Sequence, residues 1–127
     1  MSTDSRAVSK SLEKKILALV KDNIRQVKKG ANEVTKQIER SKALLVIMAL
    51  DTEPIQIIEH LPLLCDDKGI SYIYVSSSEA LGNAVGLQRP AVACCITYED
   101  DQQYEKVKSG VSKVLSEMNG VSMLKGV

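Results

Sequence analysis

The run Ala43-Leu44-Leu45-Val46-Ile47-Met48-Ala49-Leu50 constrains the fold more than any other stretch. Eight apolar residues are few for a helix, and polar residues bound the run on both sides. It reads as a strand with both faces buried, which requires helices on both sides of a sheet. Two further strands follow from β-propensity and apolar content, Ser71–Val75 and Ala91–Thr97. Helical periodicity fills the gaps. Leu12, Ile16, Leu19, Val20 and Ile24 recur over Ser11–Arg25, with Ser9 or Ser11 as cap. A second helix runs from Gly30 to about Arg40. Asp51 or Thr52 is expected to cap a third, with Pro54 in its first turn, Ile55, Ile57, Ile58, Leu61 and Leu64 on its buried side, and a kink at Pro62. Ser76-x-x-Glu79 is a capping-box pattern for a short helix ending near Gly86. Asp100 or Asp101 opens the last helix, whose stripe is Tyr104, Val107, Val111, Val114, Leu115 and Met118, with Asn119-Gly120 as its stop. Gln26–Lys29 is a short link that can be extended. This alternation predicts an α/β fold, a single-domain three-layer α/β/α sandwich with a mixed central sheet of about four strands. The expected organisation is a flexible segment 1–10, a domain over 11–119 and a loose tail 120–127.

Composition removes several function classes. Hydrophobic residues make up 44% of the 127, so a core is expected rather than disorder. No apolar run reaches about 18 residues, so no membrane span is expected, and the polar N-terminus carries no secretory signal. Three cysteines without a C-x-x-C spacing favour reduced thiols in the cytoplasm or nucleus. Phe and Trp are absent and Tyr occurs four times, which argues against an aromatic platform for stacking single-stranded nucleic acid. Residues 1–42 carry eleven Lys or Arg and five Asp or Glu, a balance of +6, whereas residues 43–127 carry a balance of −5. A basic N-terminal third fits an anionic partner, and it fits an ordinary charged helix surface equally well.

Catalytic constellations are not found. His60, the only histidine, sits beside Leu61 in an apolar helix and reads as structural. Cys65 is five residues from it and does not face it on a helix. Cys94 and Cys95 point to opposite sides of a strand and read as small apolar residues. No His or Cys cluster has metal-ligand spacing, Asp66-Asp67 is a weak cation site, and neither G-x-G-x-x-G nor G-x-x-x-x-G-K occurs. Neither an enzyme nor a bound metal or cofactor is expected.

One stretch stands out functionally: Lys29-Gly30-Ala31-Asn32-Glu33-Val34-Thr35-Lys36. A glycine turn leads into a helix whose first turn offers free N–H groups and partial positive charge, a setting for a phosphate. Asn32 and Lys36 share a face, with Glu33 on its flank. The other reading of these eight residues is a solvated amphipathic helix burying Val34 and Ile38. Ligands of open α/β sheets bind beyond the carboxyl ends of the strands, which would bring Glu53 and the 87–90 loop towards the Gly30 turn.

Together with Asp51-Thr52-Glu53-Pro54, His60-Leu61-Pro62-Leu63-Leu64-Cys65-Asp66-Asp67, Ala80-Leu81-Gly82 and Arg89-Pro90, that stretch resembles the kink-turn RNA-binding family of small ribosomal and ribonucleoprotein proteins, the archaeal ribosomal L-seven-Ae type among them. Within it, the chain is most similar to the eukaryotic branch shared by the spliceosomal U-four particle and box C/D small nucleolar particles. The resemblance runs from about Leu12 to Thr97, and the last helix fits as well. It implies recognition of a three-nucleotide bulge beside tandem sheared G·A pairs, with Gly30, Asn32, Glu33 and Lys36 addressing the G·A pairs and Lys29 among the RNA-binding residues. It implies that Glu53 and Ile57 line a pocket for an extruded nucleotide, closed by Leu87, Gln88, Arg89, Pro90, Ala91 and Val92. Ser78 departs from the basic residue frequent among relatives, and Leu87-Gln88 replaces a Val-Ser pair. The implied partners are box C/D snoRNA, spliceosomal snRNA or ribosomal RNA, and snoRNP or snRNP proteins that bind the composite surface. The implied location is the nucleus and nucleolus, for a protein monomeric without RNA. Alternatives are a ribosomal or H/ACA protein of the same fold and, from another class, a protein–protein adaptor that binds no RNA.

Overall fold

A computed structural model describes residues 8–116 of the chain, without the side chains of 115 and 116. Residues 1–7 of the segment expected to be flexible, the 120–127 tail, the Asn119-Gly120 stop, and Met118 and the Leu115 side chain of the last stripe lie outside the described residues. The elements are α1 (Lys10–Asp22), β1 (Val27–Lys29), α2 (Ala31–Glu39), β2 (Ala43–Ala49), α3 (His60–Lys68), β3 (Ser71–Val75), α4 (Ser78–Ala84), β4 (Ala93–Thr97) and α5 (Asp101–Ser116), with 3-10 turns at Ile24–Gln26 and Ile55–Ile57. The sheet order is β1-β4-β2-β3. β2 and β3 are parallel, and β4 is antiparallel to both β1 and β2.

Strand alternation sorts the core into two layers. Leu45, Ile47 and Ala49 of β2, Ile73 and Val75 of β3, and Cys94 and Ile96 of β4 pack with α1, α4 and α5. Val46, Met48, Ala93 and Cys95 point the other way, where Val34 and Ile38 of α2 and Leu61 and Cys65 of α3 cover them. The apolar run is thus a central strand covered on both faces, and the three-layer sandwich holds. Each fully buried Leu or Ile contributes roughly 1.5–3 kcal/mol.

Several local expectations give way to tertiary structure. α1 begins at Lys10 with Ser9 accepting from the Leu12 N–H at 3.3 Å. Val8 is buried, and its N–H donates to the Tyr74 carbonyl at 3.1 Å, so residues 8–10 belong to the ordered domain. α1 stops at Asp22, which leaves Ile24 in a 3-10 turn and 40% exposed rather than on the buried stripe. Neither Asp51 nor Thr52 caps α3. The Thr52 hydroxyl donates to the Ala49 carbonyl at 2.6 Å, Asp51 serves a different segment, and Glu59 occupies the cap position. Because α3 starts at His60, Pro62 falls in its first turn, where its missing N–H removes no helical bond, and no kink is required of it. The expected capping box does not form. Ser77, not Ser76, caps α4 by accepting from the Ala80 N–H at 3.0 Å. Ala91 and Val92 lie before β4, not in it. The last helix does start as expected, with the Asp100 carboxylate accepting from the Gln103 N–H at 2.8 Å.

Candidate nucleic-acid interface

Because β4 runs against its neighbours, the carboxyl ends of β1, β2 and β3 and the amino end of β4 meet at one pole of the sheet. Four connections converge there: Gly30, residues 50–54, the 76–77 turn and the loop leading into β4. Backbone hydrogen bonds tie them together. The Gly30 N–H donates to the Ala93 carbonyl at 2.9 Å, Ala49 to Val92 at 3.0 Å, Leu50 to Val75 at 2.9 Å, and Ala91 to Ser78 at 2.9 Å. The Asp51 carboxylate accepts the Ser78 N–H at 2.9 Å. α4 then presses directly on the loop. A Cβ at Gly82 would overlap the Arg89 carbonyl oxygen and sit 3.1 Å from the Pro90 Cα, so only glycine lets these backbones approach.

α2 supplies one half of the site. Gly30 is its N-cap at φ 94° and ψ 144°, a positive-φ conformation that glycine adopts at no steric cost. The first-turn N–H groups of a helix have no intrahelical acceptor, and the partial positive charge there suits an anion. Asn32 and Lys36 are exposed, as is Lys29 at the end of β1. Glu33 is half-buried, and its Oε2 accepts from Gln37 Nε2 at 3.0 Å. Gln37, itself only 7% exposed, therefore fixes the carboxylate. The structure thus places Lys29, Gly30, Asn32, Glu33 and Lys36 together at the pole. Val34 and Ile38 are also buried, so the amphipathic reading of this helix holds alongside.

The loops supply the other half. Glu53 is exposed, and Ile57 is 41% exposed on its 3-10 turn, an apolar side chain left to solvent at a structured position. Gln88, Arg89 and Pro90 are exposed. Leu87 is half-buried against the α1/α4/α5 core and Val92 against the α2/α3 core. Ala91 is 4% exposed and packs in the core, so its side chain does not line the surface; its part is the backbone bond to Ser78. Glu53, Ile57 and residues 87–92 thus flank the same pole. Of the residues that lock these loops, Asp51 and Ser78 carry no local signal of that role. Gly82 alone is legible, as a glycine inside a helix that needs a packing reason.

Titratable groups elsewhere are spoken for. Thr35 gives its hydroxyl proton to the Ala31 carbonyl at 2.8 Å and so accepts from Nε2–H of His60, also at 2.8 Å. His60 thus ties α3 to α2. Burial, with a smaller contribution from the Asp66 charge, pushes the Cys65 thiol up to about 12. Burial likewise raises Cys95 to about 12 and Cys94 further, which leaves all three as neutral core groups. Among the described residues, no group of three or more His, Cys, Asp or Glu side chains is placed to hold a metal ion.

The sequence matches the model of the ribosomal protein L7Ae/L30e/S12e/Gadd45 family over residues 10–107. NHP2-like protein 1 of Rattus norvegicus is 43% identical over 110 residues, covering 82% of this chain and 86% of that protein. Small nuclear ribonucleoprotein associated homolog 13 of Caenorhabditis elegans is 43% identical over 111 residues, covering 83% and 87%. Among solved structures, the Giardia lamblia 15.5kD RNA binding protein superposes with a TM-score of 0.77 at 37% identity, covering 91% of this chain and 98% of that one. With sequence and fold in agreement over nearly the whole described chain, this protein belongs to the ribosomal protein L7Ae/L30e/S12e/Gadd45 family.

Proposed function

We propose that this chain is a non-catalytic RNA-binding protein that recognises and stabilises kink-turns and thereby nucleates box C/D snoRNP or spliceosomal snRNP assembly. The observation that carries the reading is the exposed face of α2: a glycine N-cap, exposed Asn32 and, one turn on, Lys36, and a first-turn carboxylate oriented by a buried glutamine. A carboxylate is a poor choice beside phosphates unless it accepts hydrogen bonds from bases. Guanine N1–H and N2–H₂ are such donors, and sheared G·A pairs expose guanine edges, while Asn32 and Lys36 donate to base or phosphate oxygens. Lys29 and the helix N-terminus face the backbone. Glu53, Ile57, Gln88, Arg89 and Pro90 receive the extruded nucleotide by shape and a few hydrogen bonds, a usual route for reading unstacked RNA bases. A protein that binds only the bent form shifts free RNA toward it. The relatives' names support this reading, one as an RNA binding protein and another as associated with a small nuclear ribonucleoprotein. Action in the nucleus and nucleolus, as a monomer until RNA binds, with partner proteins reading the composite surface, follows from the same proposal.

Titration of a box C/D kink-turn RNA at fixed salt tests it, against a control whose sheared G·A pairs are changed to Watson–Crick pairs. Tight binding to the first and weak binding to the second is expected. Equal affinity would leave only a basic surface and remove the roles given to Asn32 and Glu33.

A further inference from the structure

Glu13 is an anomaly on α1. Its neighbours Lys14 and Lys15 face solvent, yet this carboxylate is 9% exposed. Burying a carboxylate costs free energy unless hydrogen bonds offset it, so its partners define what it does here. Its Oε1 accepts both the Ser76 N–H and the Ser76 hydroxyl, each at 3.0 Å, across 63 positions of sequence. Hydrogen bonds to a charged acceptor are about twice as strong as neutral ones.

Ser76 opens a turn of three serines that holds three segments. Ser77 caps α4. Ser78 donates its N–H to Asp51, in the loop bearing Glu53, and its carbonyl accepts from Ala91, in the loop bearing Arg89. α4, which begins at this turn, meets the Arg89-Pro90 backbone at Gly82. The turn is therefore the point from which both loops of the pocket are set, and Glu13 anchors it from outside the pole.

We propose that Glu13 is a positioning residue: through Ser76 it holds the 76–78 turn, and so the Asp51–Glu53 and 87–91 loops, in the arrangement that receives an extruded nucleotide. The proposal rests on the kink-turn reading above. It predicts that Glu13 matters to the extruded base and not to the G·A pairs, which α2 addresses on its own.

The test pairs two proteins with two RNAs. Wild-type and Glu13→Ala chains are titrated with a kink-turn RNA and with its twin carrying an abasic site at the extruded nucleotide. The expected result is a loss of about tenfold for the variant on the intact RNA, the scale of one hydrogen bond to a charged group, and affinities within twofold of each other on the abasic RNA, roughly the scatter of independent sites. Glu13→Gln, which keeps the size and an acceptor oxygen, should lose less, and Ser76→Ala, which keeps the N–H bond, should also lose less. These two variants carry the test if Glu13→Ala fails to fold. Equal losses on both RNAs, or no loss on either, would overturn the proposal and make Glu13 a support for the fold alone. Failure of the wild-type chain to bind the kink-turn would overturn the underlying reading and this proposal with it. A wild-type chain that binds both RNAs equally would remove the pocket while leaving the G·A contacts standing.

Discussion

The α2 half of the interface and its loop half are held in different ways. Asn32, Glu33 and Lys36 stand on one regular helix capped by Gly30, and the side-chain contact that orients the carboxylate, Gln37 on Glu33, lies four residues away on that helix. Glu53, Ile57 and residues 87–90 stand on irregular backbone, held by Asp51 on Ser78, Ser78 on Ala91, Val92 on Ala49 and α4 pressed on Arg89. The first half is laid out by local helix geometry and fixed by packing Val34 and Ile38 against the sheet. The second exists only when four remote segments have assembled.

The division is easiest to break at Gly82. Gly82→Ala sets a Cβ against the Arg89 carbonyl, where no flexible side chain can give way, and should cost about 3 kcal/mol of stability. Thermal denaturation measures that cost. In the folded fraction, discrimination between intact and abasic RNA should be lost while discrimination between sheared and Watson–Crick G·A pairs remains. An unchanged midpoint would mean that α4 and the loop separate freely.

Glu33→Ala cuts the other half. It should weaken kink-turn binding by about 1–3 kcal/mol, with a stability cost of only about 1 kcal/mol as Gln37 loses its acceptor. Titration and melting of the same variant separate the two effects, and unchanged affinity would remove Glu33 from the interface. Gly30→Ala meets open space but forces a side chain to φ 94° and ψ 144°, at a strain of about 1–3 kcal/mol. Its melting temperature and its affinity should fall together, since the same residue both starts the helix and shapes the site. Lys36→Ala should have the smallest effect, on the order of 1 kcal/mol, with the slope of log affinity against log salt reduced by about 1. An unchanged slope would place Lys36 on a base rather than a phosphate.

The same division explains what could be read from the chain. The apolar run of β2, the amphipathic α2 stretch and the Val107–Val111–Val114 stripe are local patterns, and the structure realises them, with Tyr104 half-buried at the stripe's edge. Reading failed where a remote partner outbid a local one. Ser76 had a capping box available with Glu79, but the Glu13 carboxylate takes both its N–H and its hydroxyl, and the cap passes to Ser77. Asp51 looked like the cap of α3 and instead holds Ser78. Ala91 looked like part of the loop surface, but its methyl is small and apolar enough to be drawn into the core. No window of sequence contains these partners, because they are 27 and 63 positions apart.

The most direct test of the account is to watch the RNA bend. A kink-turn RNA labelled with donor and acceptor at its two stem ends is titrated with the protein in magnesium-free buffer, where the account expects much of the RNA to be extended. Energy transfer should rise to a saturating plateau as the protein binds, and changing the G·A pairs should abolish the rise. Binding that saturates with no change in energy transfer would show that the protein grips the RNA without trapping the kink, and would contradict the account.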